Sequence, residues 1–246
     1  MGGNWQRFFS RLMVVVIGLL LLLVVLLSSL EIVAFDLKHY RNQYSILGQA
    51  EKLGMTEAEL LRVTGEMLAY LKGARDDLAI EATINGEKVP FFSQREIAHM
   101  VDVRRLFATG FLVRNVAGWL LAVLFGLSII LCNGSWREGL IISLNRSALL
   151  ALLLLLLTAL IISTDFAFWF DQFHFLSFDN DLWLLDPLQH NLIKLVPQTF
   201  FQNTARVFTI RALSTLLFLS LASGWYLYKQ KGKVQDDLRA STSRIP

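Results

Sequence analysis

The sequence predicts an all-α integral membrane protein: four transmembrane helices with a small extracytoplasmic α-rich cap that contains one β-hairpin. Three observations carry that prediction. The 246-residue chain is 54% hydrophobic, with a mean hydropathy of +0.51, above what a soluble domain of this length shows. Its charged residues, 17% of the total, are missing altogether from four apolar windows. Basic residues gather at the window ends in the alternation that a multi-pass topology requires.

The windows are Leu12 to Leu30, Asn115 to Leu131, Ser147 to Thr164 and Ala212 to Tyr228. Each is close to the roughly 20 residues that cross about 30 Å of hydrocarbon. In lipid the backbone must satisfy itself internally, so each window reads as a helix. The first is longer than a usual signal-peptide core and has no clear small-residue cleavage site, so it reads as an uncleaved anchor.

Orientation follows from Lys and Arg. Arg7 and Arg11 precede the first span, Arg137 and Arg146 lie between the second and third, and Lys229, Lys231, Lys233, Arg239 and Arg244 follow the fourth. Only Glu138, Asp236 and Asp237 oppose them. The positive-inside rule puts these three segments, and both termini, in the cytoplasm. The connections 36–111 and 165–211 then lie outside. The net charge of +3 thus reflects topology. The basic residues flank spans and form no aromatic-interleaved patch, which argues against a nucleic-acid partner. The single cysteine, Cys132, excludes an intrachain disulfide and a cysteine-cluster metal site; at the end of an apolar run it reads as filler.

Within 36–111, Thr56 followed by Glu59 is a capping-box pattern that opens a helix through about Lys72. Asn85-Gly86 between short β-prone runs predicts the hairpin. Ser93 followed by Glu96 is a second capping box, starting a helix near Gln94 that continues towards the second span. The segment 165–211 reads as an interfacial aromatic loop. Eight aromatics fall in the eighteen positions from Phe166 to Trp183, a density suited to the membrane–water interface. Pro197 fits the first turn of a helix leading into the fourth span.

All four histidines fall outside the membrane. His99 and Asp102 are three apart on one predicted helix, so they share a face, and Asp102 could orient His99 or raise its basicity. His174 lies among the aromatics, where an ionisable residue at membrane depth marks a functional site by default. Each also has a plainer reading: His99 as a surface residue paired on its own helix, His174 as an interfacial residue satisfied by headgroups. His39 and His190 read as structural. Asp179, Asp181 and Asp186 fit turn caps. No nucleophile elbow, H-E-x-x-H pair or Gly-rich phosphate loop is present. His99, Asp102 and His174 could hold Zn²⁺ in a membrane hydrolase, although His-x-x-Asp spacing alone is a weak signal and nothing requires a metal. A non-enzymatic membrane scaffold is the third reading.

Two segments resemble a known family. "EIAHMVDVRRLF", Glu96 to Phe107, resembles the His-Met-x-Asp-Val-Lys/Arg motif of the bacterial lipoprotein intramolecular transacylases. "FHFLSFDNDLWLLDPLQHNLIKLVPQTFF", Phe173 to Phe201, is similar to their second motif, through Phe173-His174, Phe178, Asn180-Asp181, Trp183, Leu185-Asp186-Pro187, Leu192-Ile193, Pro197 and Phe200-Phe201. The resemblance implies an enzyme of the bacterial cell membrane, needing no cofactor. It would move the sn-2 acyl chain of a diacylglyceryl-cysteine lipoprotein onto that cysteine's α-amine, giving a lyso-form N-acyl product. Its partners would be the lipoprotein substrate and membrane lipid. His99 and His174 map onto the family's two catalytic histidines. His174 is expected as general base and His99 as oxyanion donor and general acid, or the reverse. Asp102, Asn180, Asp181, Trp183 and Asp186 are candidates for orienting His99 or positioning substrate.

Overall fold

The computed structural model describes the backbone of residues 2–131 and 136–242, and the side chains of 12–127 and 141–232. Cys132 and Arg244 lie outside the described residues. Among the described residues the order is α1 (Gly2–Ala34), α2 (Leu37–Leu47), α3 (Gln49–Lys52), α4 (Glu57–Leu71), β1 (Glu81–Ile84), β2 (Glu87–Pro90), α5 (Gln94–Leu131), α6 (Trp136–Thr164), α7 (Phe166–Ser177), α8 (Asn191–Leu195) and α9 (Gln198–Thr242). Four helices contain stretches long and apolar enough to cross a membrane: Leu12–Ala34, Gln94–Leu127, Ile141–Thr164 and Gln198–Gly232. In the second of these the charge-free part begins only at Asn115. The polar turns 94–114 carry the side chains discussed below.

The chain divides into two compact units. The first holds Met1–Ser28, Arg114–Leu160 and Thr209–Pro246. Its core is Ile17, Leu21, Val25, Leu121, Leu155 and Leu216 around Ala148, Ala151 and Ala212. Small residues let helices approach closely where lipid offers no hydrophobic drive between them. A Cβ on Gly18 would stand 3.3 Å from the Ser147 carbonyl and 3.3 Å from Leu150. Polar side chains supply the remaining contacts. Ser147 Oγ donates to the Val14 carbonyl (2.9 Å), and Asn145 Nδ2 donates to the Ser220 carbonyl (2.8 Å) and to Ser223 Oγ (3.0 Å).

The second unit holds Ser29–Val113 and Ile161–Phe208. It packs large side chains: Tyr40, Tyr44, Leu60, Val63, Phe91, Leu195 and Phe200 are all buried. Thr56 caps α4 by accepting from Glu59 N–H at 3.2 Å. Only half of that box forms, because the Glu59 carboxylate turns to Arg62 and to the Thr83 N–H instead. The Ser93–Glu96 box is reciprocal: Glu96 Oε2 accepts from Ser93 N–H at 2.6 Å, and Ser93 Oγ accepts from Glu96 N–H at 3.4 Å. The hairpin pairs Ile84 with Glu87. Asn85 (φ 49°) and Gly86 (φ 87°) are both left-handed, as a two-residue primed turn demands.

The aromatic stretch differs from the expected loop. Residues 166–177 form α7, started by Asp165, whose side chain accepts from Phe168 N–H. Apolar residues at most positions blur the helical period that would reveal it. None of the residues of α7 is fully buried. After the irregular segment 178–190, Pro197 immediately precedes α9, and Phe200 N–H bonds back to its carbonyl.

Candidate active site

The capping box at Ser93 fixes where α5 begins. From there the helical repeat sets Arg95, His99 and Asp102 along one stripe at spacings of four and three. The following segment 178–183 lies along that stripe. Phe178 meets the His99 ring edge-on at 5.1 Å between centroids. Asn180 Nδ2 donates to Asp102 Oδ2 at 2.9 Å. Arg95 reaches Asp181 with a hydrogen bond to its carbonyl and a 3.4 Å contact to its carboxylate.

His174 comes from the last turn of α7. It reaches the same place: the His99 and His174 rings are 6.5 Å apart at 32°. Trp183 stacks on His174 at 5.0 Å and 27°, while Phe170 and Phe173 pack against other parts of the ring. The His174 Nδ1 lies 2.7 Å from the Phe170 carbonyl. A carbonyl only accepts, so Nδ1 carries the proton and Nε2 keeps its lone pair. His99 is 7% exposed, and its Nδ1 has no partner. A buried polar atom without a partner is costly and uncommon, and a reacting group received at the site is one explanation for it.

Burial lowers the proton affinity of both rings. His99 is pushed down to about 4, first by loss of solvent, then by His174 and Arg95, against the opposing pull of Asp102. His174 is lowered too, by burial above all, with the Phe170 carbonyl and Asp171 acting the other way.

The structure therefore brings His99, His174, Asp102, Asn180 and Trp183 together, with some changes to the expected partners. Asp102 does not bond to His99. Its carboxylate is taken by Asn180 and, at 3.3 Å, by Arg105, so it braces the covering segment and reaches His99 only through space. Asp181 pairs with Arg95. Asp186 builds its own turn, accepting from Leu188 N–H at 2.8 Å and Gln189 Nε2 at 2.9 Å, while its N–H donates to His190 Nδ1 at 2.9 Å. Among the described residues no three His, Cys, Asp or Glu side chains form a metal-holding group. His39 bonds through Nε2 to Thr204 Oγ1 at 2.9 Å.

Two residues here are absent from the sequence reading of the site. Glu96 is 1% exposed; beyond the Ser93 cap, its Oε1 accepts from Leu192 N–H, tying the start of α5 to α8. Its place in a capping box was legible, but a bond to a residue 96 positions away was not. Arg95 carried no motif at all.

Fold and site together define a helical membrane-integral protein with a paired-imidazole site suited to moving protons. The model of the family described as lipoprotein intramolecular transacylase Lit matches residues 15–201, more than half of the chain. The protein belongs to that family and is an enzyme. Its fold is that of the membrane-integral lipoprotein intramolecular transacylase Lit from Bacillus cereus: TM-score 0.75 at 20% identity, over 93% of this chain and 100% of that one. Two structures of the Bacillus cereus protein with a histidine substitution agree, at TM-score 0.74, with 20% and 19% identity, over 94% and 95% of this chain and 97% and 100% of theirs. No curated protein sequence matches the chain.

Proposed function

We propose that this enzyme moves the sn-2 acyl chain of a diacylglyceryl-cysteine lipoprotein onto the α-amine of the same cysteine. The product is an N-acyl, S-monoacylglyceryl lipoprotein. The observation that carries this reading is the histidine pair, its rings 6.5 Å apart, one with Nδ1 held by the Phe170 carbonyl and the other buried with an unpartnered Nδ1.

His174 is the general base. The amine nitrogen attacks the ester carbonyl, the carbonyl electrons move onto oxygen, and His174 Nε2 takes the amine proton. His99 donates a ring N–H to the developing oxyanion. Burial that keeps His99 neutral suits it to donation and makes it a poor proton source. The proton that the glyceryl oxygen needs on leaving therefore returns from the His174 imidazolium. The C–O bond breaks as this proton is delivered, and a C–N bond has replaced it. The nucleophile belongs to the substrate, so no covalent enzyme intermediate forms.

The harder requirement is geometric, because attack closes a medium-sized ring within a flexible lipid. Holding the reacting ends together contributes up to about 7–11 kcal/mol in well-oriented intramolecular reactions. Phe170, Phe173, Phe178 and Trp183 pack around the pair, an apolar wall suited to folding the lipid and to keeping water from the ester. The site then faces the extracytoplasmic interface of the bacterial cytoplasmic membrane, with both termini in the cytoplasm, as the basic flanks predict. Spans 12–30, 115–131, 147–164 and 212–228 are the proposed crossings.

Expressing the enzyme with a diacylglyceryl lipoprotein and locating the acyl chains by mass spectrometry tests the proposal. The expected result is a glyceryl-to-nitrogen shift at unchanged total mass, slowed roughly 10²–10⁴-fold by His174→Ala or His99→Ala. An active expression strain that yields no shift would refute the transfer; full rates in both variants would refute the histidine assignment.

A further inference from the structure

Arg95 stands one helical turn before His99, and its guanidinium grips the carbonyl of Asp181. That same carbonyl accepts from Leu184 N–H at 3.0 Å. It therefore closes the turn in which Trp183 sits, and Trp183 is the ring stacked on His174 at 5.0 Å. One carbonyl thus joins α5 to the aromatic face of the imidazole on α7. We propose that Arg95 is a positioning residue for acyl transfer, acting through the Asp181 carbonyl and Trp183 to hold the His174 ring against His99. This rests on the histidine reading above.

The contact is poorly placed to serve stability. The Asp181 side chain is 75% exposed and that of Arg95 35%, and exposed ion pairs contribute little to folding. The neighbouring brace, Asn180 to Asp102, holds the other end of the same segment one turn past His99. Between the two braces the segment is fixed at both sides of the histidine it covers, with Phe178 against the ring. A positioning role needs such fixing, because a displacement of about 1 Å can cost on the order of a hundredfold in rate.

Arg95 has a second consequence at the site. The titratable and charged groups around His99 are His174 on α7, Arg95 and Asp102 on its own helix, and Asp181, paired with Arg95, on the covering turn. The guanidinium is one of the influences that hold His99 neutral. Removing it raises the affinity of His99 for a proton, whereas Arg95→Lys keeps the charge and loses the planar fork that reaches the carbonyl.

The test uses the full-length enzyme in detergent micelles with a synthetic diacylglyceryl lipopeptide, read by mass spectrometry, with wild type and His174→Ala as references. Arg95→Gln should lower kcat about ten- to a hundredfold and leave KM within about threefold. Arg95→Lys, which lacks the planar fork that reaches the carbonyl, should show a similar fall in kcat. Arg95→Gln combined with Trp183→Ala should be no slower than the slower single variant, since both act along one path. Wild-type kcat in Arg95→Gln, or effects that multiply in the double variant, overturns the proposal. If Arg95→Gln lowers the unfolding temperature, Arg95→Lys and its double with Trp183→Ala decide by the same criteria. A wild type that moves no acyl chain counts against the transfer reading; an active wild type with an unaffected Arg95→Gln counts against Arg95 alone.

Discussion

The two compact units are both largely helical, yet they are held together by different means. The first uses the smallest residues at its centre: Ala148, Ala151 and Ala212 are fully buried, and Ser147 with them. Its helices are joined by hydrogen bonds from Ser147 and Asn145, while leucines and aromatics such as Leu153, Leu157 and Phe218 face outward. The second reverses the pattern, with Phe91, Phe200, Tyr40 and Tyr44 inside. On its exterior Arg62 reaches both Glu59 and Glu66, and Arg75 joins Glu66. Helices in lipid gain nothing by hiding leucine from its surroundings, so close approach and polar contacts hold them together. Large apolar side chains hidden behind charged ones are what water selects. The histidine pair belongs to the second unit, where both rings pack among aromatic side chains.

The largest effect should come from emptying the second core. Phe91 is 1% exposed and stacks edge-on with Phe92 at 4.8 Å. Phe91→Ala should destabilise by about 3–5 kcal/mol, read as a lowered unfolding midpoint in a denaturing detergent titration. A loss below about 1 kcal/mol would mean that this core is not what holds the unit.

Acid should separate the units next. His99 and His174 are both below their ordinary value of 6.5 when folded, so the unfolded chain binds more protons. Stability is then complete above about 6.5 and falls as the pH drops towards 4, the region to which His99 is shifted. The described side chains of the first unit include no His, Asp or Glu, so nothing described there titrates in this window. Hydrogen exchange at pH 4.5 against pH 7, corrected for intrinsic rates, should rise in α4 and the hairpin and stay level in α6. Equal rises in both would break the distinction.

Filling the first unit should have a smaller effect. Gly18→Leu drives a side chain into the Ser147 carbonyl and Leu150, each already 3.3 Å from a Cβ. Overpacking of this kind costs about 1–3 kcal/mol. The same detergent titration should show the loss, whereas Gly118→Leu, with nothing within 4 Å of its Cβ, should change little.

The sequence made local features legible and left long-range partners hidden. Charge-free windows, the Asn85-Gly86 turn and the Ser93–Glu96 box all depend on local sequence: the windows fall within α1, α5, α6 and α9, and the turn and the box form as expected. The helix at 166–177 escaped because its dense rings read as a membrane-interface segment rather than as a helical stripe. At the site, the residue types and the helix that carries His99 were legible. The partner of Asp102 was not, because nearest neighbours on a helix suggest His99, whereas Asn180, 78 positions on, wins the carboxylate. Glu96 to Leu192 and Arg95 to Asp181 escaped for the same reason: no local pattern reports a bond between distant segments.

The smallest expected effect is the most telling about the first unit. Asn145 donates both to the Ser220 carbonyl and to Ser223 Oγ, and Ser223 Oγ lies 2.6 Å from its own Leu219 carbonyl. In water, a two-donor amide joining two helices would be expected to matter. In a membrane such bonds average about 0.6 kcal/mol, with a maximum near 1.7, because the separated helices find other partners for the same groups. Asn145→Ala should therefore lower stability by about 0.6 kcal/mol in the detergent titration, well below Phe91→Ala, and leave the acyl-transfer rate unchanged. A loss of 3 kcal/mol or more would show that polar contacts, rather than the small-residue approach of Ser147, Ala148 and Ala151, dominate the joining of these helices.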